Sequence, residues 1–95
     1  MKRYDIVATR QYKKDFKRLQ KSAFDTVRLE HIIDQLASGA ILADRYHDHA
    51  LKGDLEGSRE CHIGPDWLLR YAKDDHELVL LLISTGDHRR VLGRE

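Results

Sequence analysis

Glu60-Cys61-His62-Ile63-Gly64-Pro65-Asp66-Trp67-Leu68-Leu69-Arg70-Tyr71 reads as a strand, a tight turn and a second strand. The turn holds the only proline of the chain, and the second strand opens on its only tryptophan. Side chains alternate across a strand, so Ser58, Glu60 and His62 share one face and Arg59, Cys61 and Ile63 the other. Cys61 and Ile63 suit a core face, which leaves Glu60 and His62 on the open face. Asp66, Leu68 and Arg70 alternate with Trp67, Leu69 and Tyr71 in the same way.

Downstream of this hairpin, Leu78-Val79-Leu80-Leu81-Leu82-Ile83 is an apolar run without alternation. It predicts a strand over 78–85, buried on both faces at the sheet centre. The Asp74-Asp75-His76-Glu77 link suits a second hairpin turn. Upstream, Leu29, Ile32, Ile33 and Leu36 fall at helical spacing, with Ser22 as a candidate N-cap, Asp25 three residues on and Gly39 as a stop. Tyr12, Phe16 and Leu19 mark one face of an earlier helix over 10–21, capped by Thr9 and otherwise basic. Tyr4–Ala8 has strand composition. Residues 40–57 carry no period and predict a long loop, which in so small a domain is commonly functional. Residues 86–93 read as a tail.

The order is β-α-α-β-β-β, an α+β chain with a helical hairpin packed on a mostly antiparallel four-stranded sheet. Ninety-five residues suffice for one domain, 1–95, with one core. With 41% hydrophobic and 35% charged residues, a folded domain is expected rather than a disordered chain. The apolar run of six residues is too short to span a bilayer, so no membrane association is expected. Met1–Asp5 leads into no hydrophobic signal core, and a single cysteine excludes an internal disulfide. A cytoplasmic location is expected. Net charge is +6 over residues 1–28 and −5 over the rest, so the first third is a candidate surface for a polyanion or an acidic partner.

Six histidines are many for this length. His62 and Asp66 are four residues apart across a turn, where a hydrogen bond would raise the histidine's pKa or merely pin the turn. His47-Asp48-His49 lies in the long loop; without a cysteine pair or a helical His-Glu-x-x-His it is read as solvated or catalytic, not as a metal site. His88 leaves the apolar strand beside Arg89 and Arg90, both suited to phosphate. Trp67 is either core or a stacking platform for a base. Cys61 reads as core, and His31 and His76 as structural or solvent-facing. His49, His62, His88 and Asp66 with nearby arginines are the parts of a ribonuclease that uses neither metal nor cofactor: a base for the 2′-hydroxyl, an acid for the 5′-oxygen, cations for the phosphorane.

The run Gly57–Tyr71, together with Asp48-His49-Ala50-Leu51-Lys52-Gly53, Thr85-Gly86-Asp87-His88, the Tyr4-Asp5-Ile6 strand and the Gln11-Tyr12-Lys13-Lys14-Asp15 helix, closely resembles the YafQ subgroup of the RelE/ParE toxin superfamily. The likeness spans essentially the whole chain. It implies the RelE-like fold and a type II toxin that cuts mRNA in the ribosomal A site, in contact with ribosomal RNA. It also implies a cognate antitoxin that neutralises the toxin, the pair binding operator DNA only as a complex. By position it implies catalytic roles for His49, His62, Asp66 and His88, and substrate contacts for Trp67, Arg70, Arg89, Arg90 and Leu92. Ala50, Ser58 and Leu92 depart from the subgroup's usual proline, aromatic and phenylalanine. A ParE-like poison of DNA gyrase would share the fold but has no need of the histidines; a plain binding module would make them incidental.

Overall fold

The computed structural model describes residues 3–93; the outermost positions of the expected domain, 1–2 and 94–95, lie outside the described residues. Its elements run β1 (Asp5–Ala8), α1 (Arg10–Gln20), α2 (Thr26–Ala37), a 3₁₀ turn (Asp44–Tyr46), β2 (His49–Ala50), a second 3₁₀ turn (Gly53–Leu55), β3 (Arg59–Gly64), β4 (Trp67–Asp74), β5 (Val79–Gly86) and α3 (His88–Leu92). The sheet order is β1-β5-β4-β3-β2; β1 runs parallel to β5 and the other pairs are antiparallel.

The expected α+β class, the two helices and the three C-terminal strands are all present. Thr9 caps α1, its hydroxyl accepting from the Tyr12 N–H at 3.0 Å. The start of α2 is a correction: Asp25 caps it through the Val27 and Arg28 N–H groups, not Ser22. A carboxylate at this position both accepts the orphan donors and complements the helix dipole. The sheet has five strands, not four, because His49–Ala50 pairs with Arg59–Glu60 at the edge. The expected tail is the short helix α3, with Asp87 accepting from the Arg90 N–H.

β5 also differs from expectation. Leu80 and Leu82 are buried, whereas Val79, Leu81 and Ile83 are only half-buried, and β4 rather than β5 is the middle strand. Leu78 lies outside the strand with φ 54°, in the turn from β4. An irregularity sets Tyr71 opposite Leu82 and Arg70 opposite Ser84. Ile83 is the extra residue, and beyond it the phase of the strand reverses. Thr85 therefore points to the helix side and Ser84 to the other.

One core lies between the sheet and α1–α2. It holds Tyr12 and Leu19, Leu29, Ile32, Ile33 and Leu36, then Cys61, Ile63, Trp67, Leu69, Tyr71, Leu80 and Leu82 from the strands. Cys61 and Ile63 face it as expected. Burial pushes the Cys61 thiol up to about 12, so it stays a neutral core group at physiological pH. Leu68 and Val91 are buried outside this cluster, where α3 packs on β4 and β5.

A histidine row on the sheet edge

The open face of β3 and its neighbours gathers the chemistry. Register sets His49 of β2 directly opposite Glu60 of β3, and Glu60 opposite Arg70 of β4. His62 is two residues further along β3 on the same face. The loop carrying His47 and His49 is pinned at its middle residue: Asp48 accepts from Arg59 Nε at 3.2 Å and from the Tyr71 hydroxyl. One histidine is thus held on each side of an anchored carboxylate.

The four rings adjoin. His62 meets His47 edge-on at 5.4 Å between centroids, His88 edge-on at 5.8 Å, and His49 at 6.4 Å. Burial holds the His62 pKa below the ordinary value; the Glu60 charge pulls it upward, and the neighbouring His47, His88 and His49 push it down again. His62 is therefore kept neutral around pH 7. His49 has a different setting. Its Nδ1 donates to the His47 carbonyl at 2.7 Å and its Nε2 lies 3.1 Å from Glu60 Oε1. Both ring nitrogens face oxygen acceptors, which a doubly protonated ring satisfies.

The expected His62–Asp66 bond is not made. Asp66 instead bonds His88: its Oδ1 accepts from the ring Nδ1 at 2.6 Å and from the backbone N–H at 3.0 Å. The pairing holds the Asp66 carboxyl below the ordinary range, chiefly through the His88 ring. Asp66 has φ 49°, a left-handed conformation that aspartate tolerates and that turns its carboxylate out of the hairpin, toward α3. With Nδ1–H engaged, His88 Nε2 is the nitrogen left to exchange protons.

Behind the row is a buried polar frame. Trp67, proposed as a base platform, is 3% exposed and belongs to the core. Its Nε1–H donates to Thr85 Oγ1 at 3.1 Å, and Thr85 Oγ1 donates to the Leu68 carbonyl at 2.8 Å. Phe24 packs edge-on against its ring at 4.9 Å. As an indole this size fills a core slot, its one polar atom needs a partner. Asp15 of α1, 2% exposed, accepts from the Thr85 N–H at 3.0 Å, from Gln11 at 2.8 Å and from Arg18 at 3.1 Å. Asp66 adjoins Trp67 and His88 follows Thr85 by three residues, so this frame fixes both ends of the Asp66–His88 pair.

The remaining expected residues are more dispersed. Arg70 donates from Nε to Ser58 Oγ at 2.9 Å, on the same face as Glu60. Arg89 and Arg90 stand in α3 beside His88. Gly86 has φ 147°, and a Cβ there would meet the Arg18 and Arg90 side chains at 3.5 Å. It is this backbone conformation, which other residues rarely adopt, that the glycine permits. Leu92 borders a separate cleft with Lys52–Leu55 and Gly93. Among the described residues, no three His, Cys, Asp or Glu side chains converge as metal ligands.

Two site members were missed in the sequence. Glu60 shared a face with His62 by alternation, but its burial to 5% exposure under His49 follows from β2, which was not foreseen. Its Oε2 has no hydrogen-bond partner among the described residues. His47 was read with His49 as solvated or catalytic but was not carried into the candidate set; its left-handed φ of 47° is what swings it onto His62.

Comparison with known proteins gives the family of the chain and relatives of its fold. The model of the family of bacterial toxins of type II toxin–antitoxin systems, YafQ, matches residues 4–93. The mRNA interferase toxin YafQ of Escherichia coli K12 is 36% identical over 90 residues, covering 94% of this chain and 96% of the relative. The crystal structure of the E. coli DinJ–YafQ toxin–antitoxin complex superposes with a TM-score of 0.86 at 35% identity, over 96% of this chain and 99% of that one. A metal-bound toxin from Helicobacter pylori gives the same TM-score at 39% identity, over 93% and 98%.

Proposed function

The chain belongs to the YafQ family of bacterial type II toxins and is an endoribonuclease of the mRNA interferase kind, and from that premise we propose that it cuts mRNA in the A site of the translating ribosome by acid–base catalysis from its own side chains. The observation that carries the reading is the Asp66–His88 pair, set 5.8 Å from a second imidazole, His62, that is held neutral.

Two imidazoles at that separation can flank one phosphate. Neutral His62 takes the proton of the 2′-hydroxyl as its oxygen attacks phosphorus. His88, with the Asp66 carboxylate behind it to stabilise the imidazolium, gives the proton from Nε2 to the departing 5′-oxygen. The P–O5′ bond breaks, leaving a 2′,3′-cyclic phosphate and a 5′-hydroxyl. His49, with both nitrogens satisfied by acceptors, supplies positive charge to the phosphorane, and Arg70, Arg89 and Arg90 serve flanking phosphates. Trp67 acts from behind, through the frame that sets Asp66 and His88. Leu92 offers apolar surface to a base. The H. pylori relative was solved with metal, but the histidine rings here form a row rather than converge on a point, and no step is routed through a metal ion.

The antitoxin is the expected partner, as DinJ is for the E. coli relative. In this reading it neutralises the toxin, and the pair represses its own operon by binding operator DNA through the complex. The toxin acts in the cytoplasm, where it reaches ribosomal RNA and mRNA together. Among the described residues no helix is long and apolar enough to cross a membrane. The test is to express the chain from a tight promoter and map mRNA 5′ ends with and without His88→Ala. In-frame cuts that vanish in the variant support the reading. Toxicity unchanged in that variant, with gyrase inhibition, replaces it with a ParE-like poison.

A further inference from the structure

His62 faces two ways. His47 and His88 each meet its ring edge-on but make no ring contact with one another, so His62 stands between them. On the His47 side opens a cleft of about 470 Å³ that shares His62 with the catalytic row. Arg28 of α2, Arg45, Tyr46 and His47 wall it, and the start of the β3–β4 turn closes it. No carboxylate lines it.

Its cations are uncompensated. Among the described residues, neither Arg28 nor Arg45 is ion-paired with a carboxylate, while the carboxylates of the site are committed to His49, His88, Arg59 and Arg18. Arg45 folds over Tyr46, its guanidinium carbon 4.9 Å from the ring centroid and one nitrogen donating to the hydroxyl at 2.9 Å. Arg28 reaches across to the end of β3, where a Cβ on Gly64 would sit 3.3 Å from its guanidinium. The missing side chain at Gly64 leaves that approach open. His47 ties the cleft to the row mechanically, because its carbonyl is the acceptor that orients His49.

Two guanidinium groups and an imidazole in a concavity without an anion of their own match a phosphodiester in charge and in hydrogen-bond geometry. We propose that the Arg28–Arg45–His47 cleft is a second phosphate subsite, holding the RNA phosphate next to the one being cleaved. The inference rests on the endoribonuclease reading and adds to it a length requirement: RNA must extend past the scissile linkage to fill both sites. An exposed acidic segment of a protein would meet the same charges, but RNA is the ligand that must reach His62 for the cut and so can span the row and the cleft together.

The experiment titrates the whole protein with a trinucleotide carrying 2′-deoxyribose before each phosphate, which cannot be cut. Wild type is compared with Arg28→Gln/Arg45→Gln, and with Lys73→Gln at the opposite end of β4 as a charge control. Both arginines are exposed, and a retained amide NMR spectrum checks the fold. The double variant is expected to bind at least about tenfold more weakly, as befits two lost charge-assisted contacts. Its slope of log affinity against log salt should shrink by about 0.7, the single-strand value for one phosphate no longer neutralised. Lys73→Gln should keep the wild-type slope. Equal affinity and slope in wild type and double variant overturn the subsite, as does loss of antitoxin binding alone. Cleavage of mRNA on programmed ribosomes by wild type, run in parallel, separates the cases. If it is present, only the subsite falls; if it is absent, the endoribonuclease reading falls as well.

Discussion

Asp66 holds His88 through one oxygen: Oδ1 accepts both the ring Nδ1–H, at 2.6 Å, and the backbone N–H, at 3.0 Å. The double contact orients the imidazole and fixes its tautomer in one stroke. Asp66→Asn keeps a carbonyl acceptor and tolerates the left-handed backbone, but it removes the charge that stabilises the imidazolium. The cleavage rate should fall by about 10²–10⁴-fold. The thermal midpoint should hardly move, because the side chain is 67% exposed. A variant that loses its fold along with its activity would make Asp66 a structural residue instead.

The proton-accepting role proposed for His62 has a pH signature. Its folded pKa lies below the ordinary 6.5. Between 6.5 and that lower value the unfolded chain binds more protons at this position than the folded one, so stability rises with pH across the window. Cleavage should lose its base over the same acid range, giving a limb below pH 6.5. NMR titration of the His62 ring protons and a pH–rate profile measure the two, and His62→Gln should remove the stability slope. A His62 midpoint above 6.5 would contradict the assignment.

Glu60 is the carboxylate that opposes the lowering of His62. Glu60→Gln should therefore move the His62 titration further down, while its amide oxygen can still accept from His49 Nε2, now 3.1 Å from the carboxylate. The same NMR titration, run on the variant, reports the shift; an upward movement would place the Glu60 charge elsewhere in the balance.

The frame behind the row predicts losses at buried residues as well. Trp67→Phe keeps a ring in the core but withdraws the donor to Thr85, at about 1 kcal/mol. Asp15→Ala leaves the buried Thr85 N–H without an acceptor, at about 1–3 kcal/mol. Urea unfolding measures both. Each variant should also cleave more slowly when fully folded, because Thr85 and Trp67 set His88 and Asp66. A Trp67→Phe protein with unchanged stability but weakened RNA affinity would restore the base-platform role.

Periodicity carried most of this architecture. The α1 and α2 stripes follow from helical spacing, the hairpin strands and the core parity of Cys61 and Ile63 from side-chain alternation, and the last strand from its unbroken apolar run. What escaped lacks a period. β2 is two residues long and shows only in its pairing with Arg59–Glu60. α3 is five residues long, and Asp87 as its cap was its one sign. The phase reversal at Ile83 cannot be seen in a uniformly apolar run, yet it turns Thr85 toward Asp15 and Trp67. At the site, nearness in sequence pointed Asp66 at His62. The left-handed turn residue and the returning α3 give it to His88 instead, and only the assembled sheet brings His47, His49, His62 and His88 into one row.

The chemistry of the cut ends tests the central claim most directly. Ribosomes programmed with a defined mRNA are incubated with wild-type protein, and the termini of the fragments are identified. Attack by the 2′-hydroxyl, with His62 and His88 moving the protons, predicts a 2′,3′-cyclic phosphate on the upstream fragment and a 5′-hydroxyl on the downstream one. A 5′-phosphate with a free 3′-hydroxyl would mean that water, not the ribose, attacks phosphorus, and would contradict the account.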